Sequence, residues 1–124
     1  MAHHLLYISL KIKFVPSDNH QRMCLVVEND GKIIGGLYGV TYWNWLYIEL
    51  LWVDEKERRK GLGTNILKKA EKIAIQRGCK RAQLETHDFQ NPEFYLRHNY
   101  RILCELADLP EGHTRYYLYK QLIQ

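Results

Sequence analysis

The stretch that most constrains this chain is "WLYIELLWVDEKERRKGLGTNIL", Trp45 to Leu67, where a nearly unbroken apolar run meets a charged turn and then two glycines at the mouth of a helical pattern. The run from Trp45 to Val53 has the character of a central strand covered on both faces. Beyond it, Leu62, Ile66, Leu67, Ala70, Ile73 and Ala74 recur at spacings of three and four, which predicts one helix with Lys68, Lys69, Glu71 and Lys72 on its other faces and Gly78 as its stop. Glycine in a helix interior costs about 1 kcal/mol relative to alanine, so Gly61 and Gly63, so close together, require a backbone reason. A strand, a short turn and a bare-backboned helix start form the arrangement in which free N–H groups point at an anion. Arg58, Arg59 and Lys60 fit that reading, because three cations at a helix N-terminus oppose its dipole unless an anion is present; the competing reading is a set of solvated helix-end charges.

The segment is neither of two better-known phosphate loops. G-x-x-x-x-G-K-[ST] is absent, and G-x-G-x-x-G would need a glycine where Ile66 stands. Around it, "LLYISLKIKF" (Leu5 to Phe14) reads as a strand broken by Pro16, Ser17, Asp18 and Asn19. "RMCLVVE" and "KIIGGLYGVTYW" flank Asn29-Asp30-Gly31, a strong hairpin signal, and a short turn at Asn44 leads into the apolar run. After the helix, "CKRAQLET" is a strand, "NPEFYLRHN" a short helix with Pro92 near its first turn, and "YRILCEL" and "TRYYLYKQLI" are two last strands. The predicted order is β, β, β, β, α, β, α, β, β.

At 124 residues and 46% hydrophobic the chain suits a single domain spanning residues 1–124. No apolar run approaches the ~20 residues of a membrane span and the first residues make a poor signal peptide, so a cytoplasmic location is expected. Cys24, Cys79 and Cys104 are odd in number and far apart, which argues against a disulfide framework or a metal site and reads as three small buried hydrophobes. The net charge of +4 and a pI near 9.0 suit an anionic ligand or a nucleic acid equally.

Arg58 to Gly63 reads R-x-x-G-x-G after Leu51-Trp52-Val53, and it resembles the acetyl-CoA signature of the GNAT superfamily of N-acetyltransferases. Phe94-Tyr95 followed by Asn99-Tyr100 is similar to a second element of that family, F-Y-x-x-x-G-[FY], with Asn in place of the usual Gly. The resemblance implies an α/β (α+β) fold with a mixed, largely antiparallel sheet flanked by helices. It implies acetyl-CoA as co-substrate, no metal, and a small-molecule or peptide amine as acceptor. It further implies that the backbone at Leu51 and Val53 pairs with pantetheine, that N–H groups from Arg59 to Thr64, across Lys60, Gly61, Leu62 and Gly63, hold the pyrophosphate, and that Arg58, Arg59 and Lys60 screen the phosphates. Such domains place two helices between their first two strands. Here the seven residues Val15 to Gln21 leave room for one turn, so those helices are expected to be shortened or absent, the acceptor side open, and a homodimer is expected to complete the cleft.

An alkyl ammonium sits roughly 3.4 pH units above neutrality, so deprotonating it costs about 4.6 kcal/mol, a term worth a general base. Glu49, an acid inside the apolar strand, is the candidate; a paired or edge-exposed glutamate is the competing reading. Tyr95 resembles the family tyrosine that hydrogen-bonds the departing sulfur. Tyr42, Trp43, Trp45 and Tyr47 either line a cationic acceptor pocket or pack a hairpin, and His87 with Asp88 suggests a catalytic pair or metal site, but without further ligands reads rather as a surface or capping pair. The expected activity is direct acetyl transfer from acetyl-CoA to a primary amine. The alternatives are a non-catalytic acyl-CoA sensor and a basic nucleic-acid-binding module, although no nucleic-acid recognition motif is present.

Overall fold

In the computed structural model, residues 19–123 are described. The strand expected over Leu5 to Phe14, and most of the short connection after it, lie outside them. The elements are β1 (Gln21–Asn29), β2 (Lys32–Tyr42), β3 (Trp45–Val53), a 3-10 turn (Glu55–Glu57), α1 (Leu62–Gln76), β4 (Arg81–His87), α2 (Pro92–Arg97), β5 (Arg101–Ala107) and β6 (Thr114–Gln121). Within those residues the predicted order holds.

Turn chemistry sets the first three strands. Asp30 and Gly31 have φ of 52° and 76°, and Trp43 and Asn44 have 46° and 64°, so each hairpin closes on two left-handed residues, the geometry whose twist matches the flanking strands. The six-stranded sheet runs β1-β2-β3-β4-β6-β5, and β3 with β4 is its parallel pair, since α1 provides the crossover between them.

Helix α1 buries Ile66, Leu67, Ala70 and Ala74 against one face of the sheet, where Met23, Leu37, Leu46, Ile48, Leu84 and Leu118 meet it. The approach is close at Gly35 of β2, where an added Cβ would stand 3.1 Å from the Ile66 side chain and 3.1 Å from the Trp52 carbonyl oxygen. Behind α1, the Lys120 ammonium lies 2.9 and 3.0 Å from the Glu71 carboxylate, which also accepts the Tyr100 hydroxyl at 2.8 Å. That network fixes α1 to β6 and to the turn before β5, where Asn99 adopts φ 70° as an asparagine tolerates.

Two expectations need correction. Cys79 is buried, but Cys24 and Cys104 are exposed: Cys24 alternates with the inward Met23 and Leu25, and Cys104 lies on β5, an edge strand exposed along its length. The apolar run of β3 is covered on both faces only through Ile48; beyond it Leu51 and Val53 pack inward while Leu50 and Trp52 are 59% and 43% exposed. Among the described residues no helix is long and apolar enough to cross a membrane.

Candidate active site

The site begins at a single extra residue. β3 and β2 slip register between Tyr38 and Gly39, so that Gly39 faces Ile48 while Tyr38 faces Leu50, and Glu49 is the bulge. The inserted residue keeps Leu51 and Val53 on the α1 face, opposite Leu37 and Gly35, where they pack on the core. Without it both would turn to the other face, since side chains alternate with a period of two. Pairing between β3 and β4 runs only from Trp45↔Arg81 to Ile48↔Leu84. From Glu49 onward β3 therefore has β2 on one side and, on the other, a cavity of about 790 Å³ that opens between the two strands.

One end of the cavity is built by the start of α1. Gly61 is its N-cap with φ 81°, Arg59 has φ 66°, and the first intrahelical bond runs from the Asn65 N–H to the Gly61 carbonyl. The N–H groups of Leu62, Gly63 and Thr64 thus have no acceptor within the helix, no side chain caps them, and no acid occupies the first turn. Arg58, Arg59 and Arg97 line this end, and the Arg58 Nε donates to the Val53 carbonyl at 3.2 Å. Lys60 stands apart from the lining, its ammonium 3.4 Å from Glu57. The two glycines differ in purpose. Open space surrounds Gly61, so its need is the left-handed backbone, whereas a Cβ on Gly63 would touch the Phe94 ring at 3.4 Å and Val53 at 3.6 Å. Thr64 Oγ1 and His98 Nε2 lie 3.0 Å apart, and burial holds the His98 imidazole below its ordinary value.

Toward the middle, α2 presents Tyr95. Its first turn is set by Pro92 and by the Asn91 side chain, which accepts from the Phe94 N–H at 3.3 Å. Tyr95 packs edge-on to Phe94 and Tyr100 at 5.1 and 5.7 Å, and burial pushes its phenol up to about 12. It keeps its proton throughout the physiological range. Against a thiol near 8.5, full proton transfer from it is uphill by about 5 kcal/mol, so hydrogen-bond donation is its chemical capacity. Glu49 also lines the cavity, exposed and without an ion-pair or hydrogen-bond partner among the described residues. The edge-exposed reading of Glu49 is the one its position at the bulge gives.

The aromatic group over Tyr42 to Tyr47 does not converge on the cavity. Trp43 takes the hairpin tip against Tyr42, Trp45 lies under Arg81 at 5.9 Å, and Tyr47 donates to Glu85 at 2.6 Å. These contacts run to the hairpin tip and across to β4, and none of the four side chains lines the cavity. His87 and Asp88 are structural: His87 Nδ1 lies 2.9 Å from the Gln90 side-chain oxygen and Nε2 accepts from Arg115, while Asp88 holds His113 at 2.9 Å and the Thr114 N–H at 3.1 Å. Among the described residues no group of three or more His, Cys, Asp or Glu is placed to hold a metal. The cavity also recruits Glu85, Gln90 and Arg97, which sequence reasoning did not single out. For Glu85 the alternation of "RAQLETH" was a usable signal, because it sets that acid opposite the buried Leu84 and Thr86.

A model of the acetyltransferase (GNAT) family matches residues 4–100. The chain is 44% identical over 93 residues to the blasticidin-S acetyltransferase of Streptomyces morookaense, covering 74% of this chain and 68% of that one. It superposes on the crystal structure of an acetyltransferase from Bacillus cereus with a TM-score of 0.81 and 40% identity, over 85% of this chain and 76% of the other. An aminoglycoside 6'-N-acetyltransferase complexed with coenzyme A shares the fold, with a TM-score of 0.75 at 17% identity over 83% and 74% of the two chains.

Proposed function

The chain belongs to the acetyltransferase (GNAT) family, and on that premise we propose that it moves an acetyl group from acetyl-CoA to a primary amine by direct attack, with Glu49 as general base and Tyr95 as hydrogen-bond donor to the leaving sulfur. One observation carries the reading: the half-paired edge of β3 leads along one cavity to a helix whose first turn holds no acid and whose approach carries Arg58 and Arg59. The residues fit the co-substrate, since a strand edge can accept an extended chain and the uncapped N–H groups of α1, with Arg58 and Arg59, suit phosphate. When bound, acetyl-CoA supplies the acyl group as a thioester and a thiolate as leaving group.

The chain's own groups do the rest. Leu51 and Val53 present backbone to the extended arm, and Leu62 to Thr64 present N–H groups to phosphate. Glu49 takes the proton that the amine must lose, a role permitted by its exposure and by its lack of a partner among the described residues. Tyr95 holds its proton at Oη and stabilises negative charge as it develops. The homodimer belongs to the same proposal: Leu50 and Trp52 are exposed on the sheet face opposite α1, where a second copy would cover them. A monomer in sedimentation that still acetylates a small amine would overturn it. The transferase reading is tested by thiol release with acetyl-CoA across alkyl amines, aminoglycosides and peptides. Release matched by N-acetylated product is expected; no release, with no thermal shift at millimolar acetyl-CoA, would overturn it.

A further inference from the structure

The cavity is polarised. Arg58, Arg59 and Arg97 stand at the α1 end, where the one acid, Glu57, is met by the Lys60 ammonium at 3.4 Å, while the lips of the gap carry Glu49 on β3 and Glu85 on β4. Glu85 follows the last β3–β4 pair, Ile48↔Leu84, and alternates with buried Leu84 and Thr86, so it faces away from α1. Its carboxylate is oriented rather than loose. Oε1 accepts the Tyr47 hydroxyl at 2.6 Å, and among the described residues the cation paired with it, Arg115, is 3.8 Å from Oε2. That guanidinium is shared, because its Nε donates to His87 at 3.1 Å and its Nη1 to the Tyr117 hydroxyl at 3.4 Å. A carboxylate offers about four acceptor sites, and among the described residues this one, on the cavity lining, makes a single short bond, to Tyr47. Tyr47 stays a donor, since the hydrogen bond to Glu85 and then burial push its phenol up to about 12.

Proton removal from an amine needs one carboxylate, and Glu49 supplies it. A second, held in place on the opposite lip, has a different use. We infer that Glu85 is the specificity-determining anchor for a second cationic group on the acceptor, so that the preferred substrates are diamines or amino-guanidines rather than monoamines. This rests on the transferase reading above and names the substrate class of the same cleft.

The test compares unbranched monoamines with α,ω-diamines of equal carbon number, three to six carbons, by kcat/KM from thiol release with acetyl-CoA. At one chain length the diamine is expected to exceed its monoamine by about tenfold, beyond the statistical factor of two, with the advantage shrinking as NaCl rises. Glu85→Gln keeps an oxygen for Tyr47 and removes the charge; it should collapse the ratio toward the statistical factor, chiefly through KM. A ratio near two for the native protein at every length, or an undiminished ratio in the variant, overturns the inference while leaving a working transferase. Release with none of the amines overturns the transferase reading itself, and this inference with it.

Discussion

From Trp45 to Ile48, β3 is paired on both sides and buries Leu46 and Ile48 almost completely; from Glu49 to Val53 it is paired on one side and leaves Leu50 and Trp52 largely exposed. One bulged residue separates the halves. In the first half the ladder consumes the backbone groups on both edges, so the strand can only be structural. In the second half one edge is released to a cavity, while Leu51 and Val53, kept on the α1 face by the bulge, still anchor the strand to the core. A single strand thus carries both a foundation and an unpaired edge on the cavity, and on the proposed function substitutions on either side of Glu49 should divide between stability and activity.

The largest effect is expected in the first half. Leu46 is 0% exposed, so Leu46→Ala should cost about 3 kcal/mol of stability, read as a lower urea midpoint with unchanged m-value. A cost below about 1 kcal/mol would mean that this half is not the foundation described. At the junction, Glu49→Gln should reverse the pattern: stability almost intact, kcat at neutral pH down by about a hundredfold, and the limb of the pH–rate profile that rises with pH flattened. An unaltered limb would move the base to water.

Smaller effects follow along the cavity. Tyr95→Phe should lower kcat by about tenfold with acetyl-CoA affinity nearly unchanged, because the lost hydrogen bond matters as the thiolate forms. Because burial lifts the phenol to about 12, the native protein should show no pH dependence from this group below about pH 10; above it, stability should fall through pH 12, as the folded state holds a proton that the unfolded chain releases. Spectroscopic titration of native protein against Tyr95→Phe checks this. At the anion end, Gly61→Ala should cost about 1 kcal/mol for its left-handed backbone, with Gly61→Asn recovering part, while Gly63→Ala, which meets ordinary contacts with Phe94 and Val53, should cost less. Equal costs would erase the distinction between conformational and packing glycines.

Much of this was legible before the structure, for reasons that are local. Asp30-Gly31 and the three-and-four spacing from Leu62 act within a turn or a helix, so their signals survive in one dimension, as does the pattern of cations and glycines before α1. Glu49 stood out because an acid in an apolar run is costly. The bulge did not, because "WLYIELLWV" is apolar on both sides of that acid and no break in alternation marks the slip. Exposure of Leu50, Trp52, Cys24 and Cys104 depends on which face another element covers, which is a property of topology. Alternation along β4 marked Glu85 as outward, but its place on the cavity needed the knowledge that β3 departs after Ile48.

The smallest expected effect closes the comparison. Leu50 stands opposite Tyr38 and beside the bulge, 59% exposed, so Leu50→Ser removes little buried surface and should change stability by less than about 0.5 kcal/mol. Set beside Leu46→Ala, four residues earlier on the same strand, the pair measures how completely the two halves differ. The result also depends on concentration in a useful way. In a monomer the Leu50→Ser cost is the same at every protein concentration, whereas if a second copy covers this face the cost should grow as the native protein associates, because binding stabilises only the folded partner. A cost that is small in dilute solution and rises toward that of Leu46→Ala with concentration would place the second half of β3 inside a dimer. A constant small cost would leave it facing solvent.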